Sequence, residues 1–551
     1  MPLFSSKRIF ILLLICSALF LLGNNLFSLS DPDEVFYSLT AKEMAAHNEW
    51  LVPLIFGQPQ FEKPPLTYWL LDTAFKMGGE SPFTARLFPA LFATLGVMAV
   101  YFLGLMGFQD ERKAFFSALL LSTSAFFAGM GKTVFTDMIF TVFILLALTM
   151  FVFGFTQPKR QAMGWVGFFI FCALATLTKG PLGLAIPLMT VVLFLMYGRQ
   201  MNYLKNEWII VGLLLYVIIA LPWYEYIYTL YGKTFIHEFF YNDHWRRLFE
   251  AEHRGNDHWF FYPLTMVLGL FPWSLFLVAA FIDLFKRLKN WVALIDYFLL
   301  SWIVVVFVVF QIAHSKLASY ILPVFPALAL LAGQFIVNRL SDVQHEKSVR
   351  KLLSASFIIL ALLGIVVIAG YHFYQHYISS MAPVYFLSGS LIALYGVGFS
   401  LLLQGRLKVA FYVLALTLCP VFLTACLMQG DVDKLVSSYQ ASQYIPQHTQ
   451  KPMTVLTSKA NVRGIRYYTG QDVAVVDANN QPFFSPHPVR VLDTTDKLMK
   501  VLRNQPVTYG VVRRSGYKNI LKNCTGHYQV NLLANTGFDY IIKIEAIKGR
   551  P

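Results

Sequence analysis

Residues 9–34 read IFILLLICSALFLLGNNLFSLSDPDE, a mostly apolar, uncharged run that passes directly into Asp31-Pro32-Asp33-Glu34. About 20 apolar residues suffice to cross a bilayer as a helix. The run is too long for a signal-peptide core, and no small-x-small cleavage site closes it, so it is expected to remain as a span. The acidic quartet then sits at the membrane surface. Glu62-Lys63-Pro64-Pro65 follows in the same loop, 29 residues after Asp33. Ionisable groups this dense beside a bilayer mark substrate chemistry or an ion path.

The remainder extends that pattern. The chain of 551 residues is 57% hydrophobic and 13% charged, against about 25% charged in soluble domains, and its mean hydropathy is +0.56. Apolar runs recur to residue 429, interrupted at 30–82 and 223–257, and amount to about thirteen spans. With Lys7 and Arg8 in the cytoplasm, alternation places Arg112, Lys113, Lys159, Arg160, Lys286, Arg287, Arg406 and Lys408 on cytoplasmic turns. The short outer loops carry Lys132, Lys179 and Lys316. This bias predicts an inside N-terminus, an outside C-terminus and both charged loops on the extracytoplasmic face. The net charge of +14 falls mainly on turns that meet anionic lipid, so it requires no nucleic acid. Five cysteines form no evident disulfide framework or CxxC metal motif.

Beyond residue 429 short β-rich runs alternate with helical patterns. The sequence therefore divides into a membrane domain, 1–429, with outer loops 30–82 and 223–257, and an outer α/β domain, 430–551. The second is large enough for its own core and shows no phosphate loop and no catalytic cluster.

Asp31, Pro32 and Glu34 read as N-cap, N1 and N3 of a helix. Asp33 is left over, with Tyr37 on the same helical face; this is the candidate for chemistry. Pro64 pushes Lys63 to extended geometry, so Glu62 and Lys63 point apart and serve separate partners. An outer-loop cation near water is outside any core, so Lys63→Ala is expected to leave folding intact. Asp137 opens the fourth span, where capping is its simplest role. Lys179 and Lys316 are lone outer cations, suited to snorkelling or to a phosphate. Loop 223–257 is rich in charge, with His237, Asp243, His244, Arg246 and Arg247, but has no HExxH. Histidine plus carboxylate suits a divalent metal. No Walker or GxGxxG motif appears, so no nucleotide cofactor is expected. Carboxylates, cations and aromatics over a bilayer suit a lipid-linked substrate whose phosphate meets Lys and Arg.

With PDE, then FEKP, an Asp opening span four, TKG before span six, a His-containing loop before span eight and K-L-x-x-Y-I-L near span ten, the chain resembles the bacterial aminoarabinose transferases of lipid A. These are GT-C membrane glycosyltransferases related to protein O-mannosyltransferases. The resemblance implies a polytopic α-helical fold in the inner membrane, an active site facing the periplasm, and Asp33, Asp137 and Lys63 as catalytic residues. It further implies Tyr37 as the neighbour of Asp33, Arg247 and Tyr320 as donor-phosphate contacts, and Glu62 with His244 as ligands of a divalent metal, zinc by ligand type; Lys179 and Lys316, as lone outer cations, are added as expected substrate contacts. Gln60, Leu248, Asp243 before His244, and His314-Ser315-Lys316 depart from the family pattern on the substrate side.

The implied reaction is inverting transfer of 4-amino-4-deoxy-L-arabinose from undecaprenyl phosphate to a lipid A phosphate. An alternative keeps the donor and sends the sugar to a protein or another glycan, with Asp33 as general base. A transporter of a lipid-linked sugar is the remaining alternative; its charges belong near the midplane, often with inverted repeats, and neither is visible.

Overall fold

In the computed structural model, residues 5–547 are described, except 253, 289–292, 342–345, 376–377, 447–452, 478–482 and 484–487. Among them, nine helices are long and apolar enough to cross a membrane. A tenth would come from the pair Phe261–Gly269 and Ser274–Arg287, which meet at 115°. Thirteen spans would also require the shorter apolar helices Ser6–Cys16 with its π-helical continuation Ser17–Leu21, Glu111–Ser122, and Leu182–Tyr197.

Small residues let the spans that build the site approach closely. Thr136–Thr156 and Gln161–Lys179 run antiparallel, joined by a short turn. At their crossing a Cβ on Gly164 would lie 2.5 Å from the Gly154 Cα, so the two backbones touch. Close approach at small residues is how helices pack where lipid supplies no hydrophobic drive. The consequence is positional: the start of one helix and the end of the other, Asp137 and Lys179, lie side by side.

The first outer loop forms helix Asp33–Ala46, a minimal hairpin of β1 (Leu54–Ile55) and β2 (Gln58–Pro59), and helix Leu66–Gly78 after Pro64-Pro65. The second contains the π-helical segment Ile236–Trp245, followed by Arg246–Phe249.

The tail holds a six-stranded sheet of β3 (Thr454–Thr457), β4 (Asp472–Val475), β5 (Arg490–Val491), β6 (Val507–Val512), β7 (Tyr528–Asn535) and β8 (Tyr540–Ala546), in the order β5-β4-β3-β6-β8-β7. The first four are parallel, and β8 pairs antiparallel with β6 and β7. Helix Thr495–Arg503 buries Leu498, Val501 and Leu502, the i, i+3, i+4 stripe of an amphipathic helix.

The tail docks on the first outer loop. Ser28 N–H donates to Asp433 (3.0 Å) and Leu29 N–H to the Tyr468 hydroxyl (2.9 Å). Arg466 pairs with Glu43 at 3.1 Å. Asp31 accepts from Ser438 N–H (2.7 Å) and hydroxyl (2.6 Å) and from the Gly464 N–H. A Cβ on Gly464 would sit 2.4 Å from the Asp31 carboxylate. The expected capping role is thus corrected: Asp31 lies at the N-terminal turn of the tail helix Val462–Thr469, not of its own helix. Glu34 is buried and clasped by Arg86 Nε (2.8 Å) and Nη2 (2.6 Å), while also accepting from Ser30 and Val134 N–H. Burial alone would raise its pKa, but the guanidinium holds it below the usual range. Its main tie is a bidentate ion pair to the second span, so the capping reading was incomplete.

Candidate active site

With Asp31 held by the tail and Glu34 by Arg86, Asp33 is the acid of the quartet that lines a cavity. That cavity, about 390 Å³, is lined by Asp33, Tyr37, Glu62, Lys63, Asp137, Lys179, Arg247, Glu252 and Tyr320, with Lys459, Arg463 and Phe483 from the tail. Tyr37 lies one turn after Asp33. Burial, with the Asp137 and Asp33 carboxylates nearby, pushes its phenol well above the ordinary value, which keeps it a proton donor.

A second cavity of about 870 Å³ is mostly apolar, with Leu182, Ile236, Phe240, Trp245, Val309, Phe310 and Ala313 among its walls. It shares Lys63, Lys179, Arg247 and Tyr320 with the first. Three cations and a phenol thus form the seam between an apolar groove and a carboxylate-bearing chamber.

The seam is tightly paired. Lys63 Nζ donates to Asp243 (2.6 Å) and to its neighbour's carbonyl, Glu62 O (2.8 Å). Arg247 lies 3.1 Å from Asp243 and 3.2 Å from Glu252, and donates to the Tyr320 hydroxyl at 2.5 Å. Burial would raise the Asp243 pKa, but Arg247 and Lys63 hold it well below the carboxylate range. Lys179 donates to Asp137 and sits 4.3 Å over the Tyr320 ring.

Most of the residues expected at the site converge here. Asp33, Asp137, Lys63, Tyr37, Arg247, Lys179, Tyr320 and Glu62 line the polar chamber. Three findings qualify the sequence reading. Lys316 lines neither cavity; it is buried and paired with Asp257 at 2.5 Å, and fastens the second outer loop. Lys63 is only 8% exposed, so its removal affects folding, because Asp243 would lose a buried partner. Asp137 pairs with Lys179 rather than serving as a simple cap.

Glu62 and His244 line different cavities, the polar chamber and the apolar groove respectively. Burial lowers the His244 pKa, favouring a neutral ring, and Nδ1 lies 2.7 Å from the Phe239 carbonyl. Its Nε2 abuts Gly180, whose φ is +101° and where a Cβ would come within 2.8 Å. Among the described residues no group of three His, Cys, Asp or Glu side chains that could hold a metal ion is assembled. Among these residues Glu62 and His244 are therefore not completed to the three-ligand set of a catalytic zinc.

Sequence reasoning did not assign roles to Asp243, Glu252, Lys459 or Arg463. For Asp243 a signal existed: it stands four residues before Arg247 in a helical segment. For Lys459 and Arg463 none did, because the tail's fold alone carries them to the loop at Asp33.

The profile of the dolichyl-phosphate-mannose-protein mannosyltransferase family matches residues 5–238. The chain is 28% identical over 315 residues to an undecaprenyl phosphate-alpha-4-amino-4-deoxy-L-arabinose arabinosyl transferase of Pseudomonas fluorescens, covering 57% of this chain and 53% of the relative. It is 29% identical to one from Shewanella sediminis (64% and 63% covered), so the matched region spans less than two-thirds of either relative. With one from Erwinia tasmaniensis it shares 28% identity over 77% of each chain. Its fold matches that of ArnT from Cupriavidus metallidurans, solved bound to undecaprenyl phosphate, with a TM-score of 0.78 over 98% of both chains at 21% identity. An oligosaccharyltransferase from Archaeoglobus fulgidus is more distantly similar, at a TM-score of 0.51, 96% and 73% coverage and 14% identity. Over its first 238 residues the chain is thus similar to the protein mannosyltransferases, over a longer stretch to the undecaprenyl phosphate-aminoarabinose arabinosyltransferases, and its fold is that of the ArnT structure.

Proposed function

We propose that this chain transfers 4-amino-4-deoxy-L-arabinose from undecaprenyl phosphate to a lipid A phosphate, on the periplasmic side of the inner membrane. The observation that carries the reading is the seam: Lys63, Lys179, Arg247 and Tyr320 belong to both the apolar groove and the polar chamber. A prenyl chain fits the groove, its phosphate meets the seam, and its sugar enters the chamber beside Asp33 and Asp137. The Lys/Arg bias of the turns supports the periplasmic side.

The chemistry follows from the charges. An oxyanion of the acceptor phosphate attacks the anomeric carbon, and the bond from that carbon to the donor phosphate oxygen breaks. The bonding electrons leave with undecaprenyl phosphate, whose growing negative charge Lys63 and Arg247 stabilise. The acceptor is already an anion, so no strong base is needed. Asp33 orients the sugar and opposes the positive charge that develops on it.

Mass spectrometry of lipid A from cells with and without the chain tests the reading. One added aminopentose per modified phosphate is expected; unchanged lipid A, with the sugar on a protein or another glycan, would replace the acceptor. Labelling of Asn48→Cys and Lys500→Cys, both exposed, by an impermeant thiol reagent in intact spheroplasts tests the sidedness. Labelling only after lysis would reverse it.

A further inference from the structure

The tail contributes more than an anchor. In its sheet β3 is flanked by β4 on one side and β6 on the other, all parallel. The order reverses there, and in open α/β sheets ligands bind outside the carboxyl ends of the strands at such a switch point. The residues leaving β3 are Ser458, Lys459, Ala460 and Asn461, and Lys459, Ala460 and Arg463 line the polar chamber. The switch point therefore opens onto the cavity that holds Asp33.

The loop is firmly built. Ser458 Oγ accepts from Arg513 N–H at 2.7 Å, tying the end of β3 to the end of β6. Lys459 N–H donates to Asp477, just beyond β4, at 3.0 Å. Arg463 lies 4.7 Å over the Phe36 ring, on the Asp33 helix, and its Nη1 is 3.4 Å from the Pro32 carbonyl. Among the described residues, the tail's wall of the chamber is made by Lys459, Ala460, Arg463 and Phe483. On the membrane side Lys63, Arg247 and Lys179 face Asp243, Glu252 and Asp137, and the Glu252 carboxylate also acts on Lys459. If the transfer reaction above is right, the acceptor brings its own anion into this chamber, and a lysine point charge beside an arginine fork suits a phosphate.

We propose that the tail's switch-point loop is the acceptor subsite: Lys459 and Arg463 bind a phosphate monoester carried by a membrane glycolipid. The proposal rests on the functional reading above, and it gives the tail a role in choosing the acceptor rather than the donor.

Equilibrium binding to the full chain in detergent tests it, with bisphosphorylated lipid A, the same lipid A after phosphatase treatment, and undecaprenyl phosphate as probes. Lys459→Gln and Arg463→Gln should each weaken binding of phosphorylated lipid A by roughly tenfold, the usual scale for a lost hydrogen bond to a charged group. Neither should change binding of undecaprenyl phosphate or of dephosphorylated lipid A, and Lys459→Arg should restore most of the affinity. Undiminished binding of phosphorylated lipid A by Lys459→Gln would overturn the subsite. So would an equal loss for undecaprenyl phosphate, which would assign these cations to the donor. Arg463 also packs on Phe36, so a lowered melting temperature in Arg463→Gln leaves the decision with Lys459→Gln. Binding is read without turnover. A chain that binds through these residues but attaches no sugar would overturn the reaction and keep the subsite; transfer with unaltered binding in both glutamine variants would do the reverse.

Discussion

The two cavities meet at one seam yet differ in almost everything else. The larger exposes mostly apolar surface, from aliphatic and aromatic side chains, although Lys233, His237, Asp243 and His244 also line it. The smaller gathers four carboxylates and five cations, two of the cations from a tail more than 390 residues beyond Asp33 in sequence. Under the proposed reaction the difference separates holding from reacting. A long apolar substrate is retained by area, at roughly 25 cal/mol per Å² buried, and that surface is tolerant of substitution. The chamber depends on charge placement, so a single altered atom there should matter more.

The largest expected effect is at Asp33. Asp33→Asn keeps shape and removes charge from the chamber alone. It should reduce kcat by roughly 10²–10⁴-fold, the range for a positioned charged group in the transition state, with undecaprenyl phosphate binding unchanged. Steady-state kinetics beside a binding isotherm measure both, and comparable losses in the two would erase the distinction between the cavities.

Lys63 belongs to both cavities and should show both kinds of damage. Lys63→Ala leaves buried Asp243 with Arg247 as its remaining ion-pair partner. It should abolish transfer and cost about 3 kcal/mol of stability, the lower end for breaking a buried ion pair. Lys63→Ala combined with Asp243→Ala should recover much of the melting temperature but no activity. Stability restored together with transfer would reduce Lys63 to a structural role.

The groove should respond in KM. Ala313→Trp narrows it and should raise KM for a full-length polyprenyl donor by roughly tenfold, about the worth of two buried methylene groups. A short-chain donor should be affected less; equal effects would mean that the chain lies elsewhere.

The smallest effect is at the junction of loop and tail. Burial pushes the Asp31 pKa from 3.8 up to about 7, against the hydrogen bonds from Ser438 and Gly464 and with help from Asp539. Burial raises Asp539 too, opposed by Arg513 and Asn461. A raised folded-state value means that the native junction binds protons more tightly than the unfolded chain. Its contribution is full below about pH 4 and is lost as pH rises through about 7. Hydrogen-exchange protection of the Ser438 amide should therefore increase from pH 8 to pH 5 after correction for intrinsic exchange, and Asp31→Asn should flatten the trend. A trend of opposite sign would mean that Asp31 is held as the carboxylate.

Much of the site was legible because its residues sit beside recognisable breaks in apolar runs. PDE and FEKP both lie in the first outer loop, and Asp137 and Lys179 mark span ends, so the nearness of the latter two follows from two antiparallel helices. What escaped depends on pairing across distance. Asp31 and Glu34 fit a local capping pattern, but a tail helix and Arg86 offered buried partners that outweighed it. Lys316 looked like a phosphate ligand until Asp257 claimed it. Lys63 read as exposed because no sequence pattern reveals a roof, here supplied by Asp243 from the second outer loop. The tail's part in the chamber was invisible for the same reason, since only the β3 switch point brings Lys459 and Arg463 there.

The central claim is that a lipid phosphate at the seam passes its sugar into the chamber. Purified chain, undecaprenyl-phosphate-linked 4-amino-4-deoxy-L-arabinose and lipid A, with products read by mass spectrometry, test it most directly. The account predicts lipid A heavier by one aminopentose and an equal amount of freed undecaprenyl phosphate, both lost in Asp33→Asn. Intact donor and unmodified lipid A after incubation with well-folded chain, or undiminished product with Asp33→Asn, would contradict it.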